Sequence, residues 1–177
     1  KGKDGTRLCR SALFCYFCVE NEQNSMQEPQ LNDHNKAEYP PMHTAEHILN
    51  QTMVRMFGCQ RSNNAHIERK KSKINYELTA QPTAEQVEEI ARRVNEVIDA
   101  HLPVSYEFVS RNEVPAEVSL ERLPDEASDT LRLVRVGDYD VCACIGTHVE
   151  NTSEIGRFHI NSTSWKEGQF RIVFKLV

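Results

Sequence analysis

A chain of 177 residues has room for one domain with a proper core and is short for two. Its formal net charge of −5 excludes a protein that coats nucleic acid non-specifically, because Lys and Arg neutralising phosphates supply most of that affinity, so any RNA contact is expected to be local. No apolar run approaches the ~20 residues needed to span a bilayer, and the six cysteines are too few and too unevenly placed for the disulfide frame of a secreted miniprotein. Reduced thiols in a soluble cytoplasmic protein are the expectation.

Residues 1–41 read as an N-terminal arm or extension, and residues 42–177 as the domain proper. The arm carries Cys9, Cys15 and Cys18, followed by a stretch rich in Asn, Gln, Glu and Pro without a core-facing period. Its Cys15-Tyr16-Phe17-Cys18 spacing alone does not make a second metal site. Met26 and Met42 are each a candidate native start.

Pro40-Pro41 set the entry to a helix expected from about Met42 to Phe57 and stopped by Gly58, with Ile48, Leu49, Thr52, Met53 and Met56 as its buried stripe. His43 and His47 stand four residues apart in its opening turns, so both imidazoles leave one face about one turn apart. Glu46 lies between them, but the order His-Thr-Ala-Glu-His is not H-E-x-x-H and assigns Glu46 no role as a metalloprotease base. A polar loop from Cys59 to His66 comes next. Strands are expected at Ile67 to Lys71 and Ile74 to Leu78, joined by a basic turn whose Arg69, Lys70, Lys71 and Lys73 are either a solvated tip or a phosphate contact.

Thr83-Ala84-Glu85-Gln86 is a capping box opening a helix down to His101, whose Val87, Ile90, Ala91, Val94 and Ile98 should cover one face of a sheet. Pro103 to Val109 reads as a strand and Asn112 to Leu123 as a helical turn or two. Leu131 to Val136 and Tyr139 to Cys144 form a strand pair turning at Gly137-Asp138. Gly156 to Asn161 and Phe170 to Val177 complete the sheet, with Phe170, Ile172, Phe174 and Leu176 on one face. The fold class is α+β, a mainly antiparallel sheet with helices packed on one face.

Cys144, delivered at a strand end, and His148 repeat the four-residue spacing of His43 and His47. Together the four make a His₃Cys set suited to Zn²⁺, which prefers four nitrogen and sulfur ligands. Such a closed set is also the usual form of structural zinc, and both readings stand on spacing alone. Cys142 shares a strand face with Cys144 and reads as core-adjacent.

His43-Thr44-Ala45-Glu46-His47, Cys144-Ile145-Gly146-Thr147-His148 and Asn151-Thr152-Ser153-Glu154-Ile155-Gly156 resemble the editing domain of alanyl-tRNA synthetases, and more closely the free-standing AlaX proteins in their short form. Ile145 stands where the synthetases usually carry the first Gly of Cys-Gly-Gly-Thr-His, and Cys142 where an acidic residue is frequent; neither removes a proposed ligand. The resemblance implies the common threonyl/alanyl editing-domain fold, Zn²⁺ as cofactor and the tRNA(Ala) acceptor end as partner. It implies hydrolysis of Ser-tRNA(Ala) and Gly-tRNA(Ala), with Ser62, Asn63, Asn64 and His66 in the loop where the family senses the misacylated side chain. A zinc-stabilised RNA-binding module without chemistry and a threonine-type editing deacylase are the alternatives, and the oligomeric state stays open.

Overall fold

A computed structural model describes residues 39–116, 118, 120 and 129–177; the arm with its Cys-x-x-Cys lies outside these residues. Helix α1, Pro40–Phe57, begins two residues earlier than expected because both prolines sit inside its first turn, where a missing N–H costs nothing. Gly58 ends it in the left-handed region at φ 62°, its N–H closing on Val54 O at 2.9 Å. The buried surface is wider than a stripe. Every residue from Met42 to Asn50 is buried, His43, Glu46 and His47 included, so the first half of α1 runs inside the protein.

Strand β1, Asn64–His66, pairs antiparallel with β2, Ser72–Glu77. The first strand was expected at residues 67–71. Those residues form the turn instead, because Ser72 Oγ accepts from Glu68 N and donates to Glu68 O, occupying the backbone groups a strand would need. Helix α2, Ala84–Asp99, starts on the expected capping box, with Gln86 N donating to Thr83 Oγ1 and Thr83 N to Gln86 Oε1. Strand β3, Val104–Ser110, leads to one 3₁₀ turn at Arg111–Glu113; much of the remaining stretch expected to be helical lies outside the described residues. Strands β4, Thr130–Val136, and β5, Asp140–Ala143, form the expected hairpin. Strand β6, Phe158–Lys166, runs five residues beyond its expected end, through Ser162, Thr163 and Ser164, which face solvent and carry no apolar signal. Strand β7 is Gln169–Leu176.

The pairing is antiparallel throughout, as expected, but the strands divide into two sheets, β1-β2-β7-β6 and β3-β4-β5. One core joins them. Ile48, Leu49 and Met53 of α1 and Ile90 and Val94 of α2 pack with Ile74, Phe170, Ile172 and Phe174 of the larger sheet and Val134 and Val136 of the smaller. Asn95 fastens α2 to β6: its amide donates to Phe158 O at 2.9 Å and to Ala91 O at 2.8 Å, and its Oδ1 accepts from Phe158 N at 2.9 Å. Asn95→Ala should therefore cost about 1–3 kcal/mol, read as a lower urea midpoint at unchanged slope.

The stretch after residue 148 is tied down as firmly. Thr152 is fully buried, its hydroxyl lies within hydrogen-bond reach of Val97 O and Ile98 O, and it accepts from Leu102 N, while Thr152 N donates to Leu102 O. The Asn151–Glu154 segment thus locks the loop before it to the end of α2 and the start of β3. Among the described residues no helix is long and apolar enough to cross a membrane.

Candidate metal centre

Helix α1 brings His43 and His47 up from one side, and the end of β5 with the loop after it brings Cys144 and His148 from the other. The ligand atoms of all four lie within 4.8 Å of one another. The three imidazoles form a tight group, with ring centres of His43 and His148 4.1 Å apart, His47 and His148 4.4 Å, and His43 and His47 5.1 Å. Cys144 Sγ lies 3.5 Å from His43 Nε2.

Hydrogen bonding fixes two of the rings. Thr44 Oγ1 donates its only hydrogen to Pro40 O at 2.9 Å, so toward Val149 N and His148 Nδ1, both at 3.2 Å, it can only accept. His148 therefore carries its proton on Nδ1, and its buried Nε2 is a lone pair without a hydrogen-bond partner. His43 Nδ1 faces Thr147 O at 3.1 Å, and since a carbonyl only accepts, the proton is again on Nδ1 and Nε2 turns its lone pair toward Cys144. The single S–H of Cys144 can serve at most one of these lone pairs, and a cation among them would satisfy the rest. The donor set fits a borderline-soft divalent metal on this ground.

The electrostatics agree. Burial opposes ionisation of Cys144, yet the imidazoles of His148, His43 and His47 crowded around it outweigh burial and hold the thiol well below its ordinary value, which favours the thiolate a metal would take. Burial, with the neighbouring imidazoles, pushes His148 down to about 4, which keeps it neutral. Burial works the same way on His47, but the sulfur of Cys142 and the carboxylate of Asp140 more than reverse it and raise His47 well above the ordinary value. Asp140 is buried too, and the charge of Arg61 beside it holds its carboxyl below the ordinary range despite that burial.

Arg132 on β4 builds the far wall. Its Nε donates to Cys144 O at 2.8 Å, its Nη2 donates to Gly146 O, and its guanidinium lies over the Tyr106 ring at 4.6 Å. Tyr106, half-exposed on β3, has its ring centre 6.4 Å from that of His148. Cys144 and Ile145 are only partly buried, so this side of the cluster faces outward.

The loop residues separate. Ser62 is buried, its N–H bonded to Asn50 Oδ1 at 2.9 Å, and Asn50 in turn donates to Glu46 Oε1 at 2.5 Å. Asn63 is exposed, while Asn64 and His66 belong to β1 rather than to the loop and are exposed, His66 lying 2.6 Å from Glu68 Oε1. Arg69, Lys70, Lys71 and Lys73 are all exposed, with Arg69 over the Tyr39 ring at 5.0 Å. Sequence reasoning missed Thr44, Arg61, Arg132 and Asp140. Asp140 alone left a signal, since strand period two puts it on one face with Cys142 and Cys144.

Residues 131–173 match the family described as Threonyl and Alanyl tRNA synthetase second additional domain. The alanine–tRNA ligase of Bacillus subtilis (strain 168) is 32% identical over 136 residues, 76% of this chain and 16% of the ligase. That of Halorubrum lacusprofundi is 32% identical over 159 residues, 88% of this chain and 16% of the ligase, and that of Methanococcus maripaludis (strain C6) 30% over 136 residues, 75% and 15%. This chain therefore spans about a sixth of the length of these relatives. Homology over most of its length, with the domain match across the segment that carries Cys144 and His148, identifies the chain as an AlaX-like domain related to alanyl-tRNA synthetase.

Proposed function

We propose that this chain is a zinc-dependent aminoacyl-tRNA deacylase that removes serine, and secondarily glycine, from mischarged tRNA(Ala) in the cytoplasm. The observation that carries the reading is the convergence of His43, His47, Cys144 and His148, two of whose rings are held with Nε2 lone pairs facing inward. These four would hold Zn²⁺, which supplies an electrophilic contact that orients the aminoacyl group for attack by water. The need for such a site follows from recognition physics. A pocket for alanine cannot exclude the smaller glycine and rejects serine weakly, so a second site must hydrolyse the wrong ester.

That second site has to demand a hydroxyl, since a buried polar group left unpaired by alanine discriminates by about 10⁴-fold or more. Ser62 is the candidate best supported, being buried and tied through Asn50 to the helix that carries His43 and His47. Asn63, Asn64 and His66 would act only at the rim, given their exposure. Arg69, Lys70, Lys71 and Lys73 offer phosphate contacts to the acceptor end. Tyr106, half-exposed beside His148, would stack on the terminal base, so Tyr106→Ala should raise KM for aminoacyl-tRNA about tenfold with little change in kcat, while Tyr106→Phe stays near wild type.

The test is a deacylation panel of Ser-, Gly- and Ala-tRNA(Ala), with and without chelator. Preferential loss of the misacylated forms, abolished by chelator, is expected. Binding without deacylation would mark the cluster as structural zinc in an RNA-binding module, and hydrolysis confined to mischarged tRNA(Thr) would make it a threonine-type enzyme.

A further inference from the structure

Among the described residues, two donor sets share His47. Besides the four residues already described, His47, Asp140 and Cys142 also hold their ligand atoms within 4.8 Å of one another. The second set is not free to take an ion of its own. Arg61 Nη1 and Nη2 donate to Asp140 Oδ1 and Oδ2 at 2.5 and 3.2 Å, so both carboxylate oxygens already face a guanidinium cation that a metal would have to displace. The pair is well enclosed, with the side chain of Asp140 0% exposed and that of Arg61 14%.

The carboxylate of the second set meets His47 at the Nδ1 end of its ring. Asp140 Oδ2 faces Nδ1 at 3.5 Å, while Cys142 Sγ packs alongside the ring, 3.4 Å from Nδ1 and 3.7 Å from Nε2. A proton drawn to Nδ1 by that carboxylate makes Nε2 the nitrogen that would meet a metal, the same orientation that Thr44 and Thr147 impose on His148 and His43. We propose that Arg61 and Asp140, with Cys142, are positioning residues that fix the tautomer and orientation of His47 for the metal, and are not a second metal site. Arg61 has a double part: it aims the carboxylate and neutralises it, so that Asp140 does not compete for the ion. Its placement is built in, because Asn50 on α1 holds the neighbouring Ser62 by its backbone, which locks the loop carrying Arg61 to the helix carrying His47.

The inference rests on the metal-binding part of the proposed function and not on hydrolysis, so its test reads metal. Zn²⁺ affinity is measured by competition with a chromophoric chelator, and Co²⁺ absorption reports ligand geometry, for wild type, Arg61→Met, Arg61→Lys, Asp140→Asn and Cys142→Ala. Circular dichroism and melting of the metal-free proteins run alongside. Wild type should bind one ion per chain. Arg61→Met and Asp140→Asn should bind it about 10–100-fold more weakly while folded, with an altered Co²⁺ spectrum, and Arg61→Lys should recover part of the loss. A purely structural pair would lower the melting temperature of these variants and leave affinity unchanged, which would overturn the proposal. A second equivalent of metal, lost in Cys142→Ala, would overturn it in favour of a separate site. Wild type that binds no metal would remove the metal reading and this inference together, whereas wild-type binding with unaffected variants removes only the inference. Should Asp140→Asn fail to fold, the Arg61 variants decide.

Discussion

Replacing His148 by alanine is expected to leave a folded chain that no longer retains Zn²⁺ and deacylates Ser-tRNA(Ala) at least about 10³-fold more slowly. His148 is the most telling ligand to remove because its two nitrogens have separate tasks. Nδ1 is consumed by Thr44, whereas Nε2 is buried with no hydrogen-bond partner, an arrangement that costs about 1–3 kcal/mol unless something occupies it. Alanine deletes that donor and barely disturbs the frame, since Val149 N keeps its bond to Thr44 Oγ1 and Thr152 keeps the following segment on α2. Native mass spectrometry counts the metal, and single-turnover deacylation reads the chemistry. Saturating wild type with Zn²⁺ at 100 times its Kd should add about 2.7 kcal/mol of stability, or roughly 5–11 °C in Tm, and His148→Ala should not respond. A variant that keeps both metal and activity would show that the cluster is not the working site.

Arg132→Ala is expected to be the most damaging change outside the four ligands, costing about 3 kcal/mol and weakening metal binding as well. Arg132 spans the loop that presents Cys144 and His148, donating to Cys144 O and Gly146 O, while Cys144 N returns a bond to Arg132 O at 3.1 Å. Removing the guanidinium strands two partly buried carbonyls and frees the thiolate to drift from the imidazoles. Lysine should rescue little, because a point charge on a flexible stem cannot serve two carbonyls from one rigid plane. Urea unfolding separates the stability cost from chelator competition for the metal. Arg132→Ala with wild-type metal affinity would mean that the loop is set by Thr44 and Thr152 alone.

The two helices and most of the strands were legible because local periodicity writes them. The capping box at Thr83, the prolines at Pro40 and Pro41 and the stop at Gly58 act within a few residues of the ends they define. The misplaced first strand shows where that logic fails. Residues 67–71 have a plausible strand composition, and only the Ser72 to Glu68 bonds, with the pairing of Asn64–His66 to β2, turn them into a connection. The full burial of the start of α1 was hidden for a similar reason: a polar face reads as a solvent face until another polar cluster is folded against it.

Composition and spacing by themselves determined the α+β class, the antiparallel pairing and the two His/Cys pairs, because ligand spacing on a helix or past a strand end is set by backbone geometry alone. Only tertiary structure decided that the pairs face each other, which nitrogen of His43 and His148 keeps its proton, and that Arg61 reaches Asp140 across 79 positions of sequence. Tautomer and orientation depend on partners that no local pattern specifies. They are set by which carbonyl, hydroxyl or carboxylate the folded chain brings to the other side of each ring.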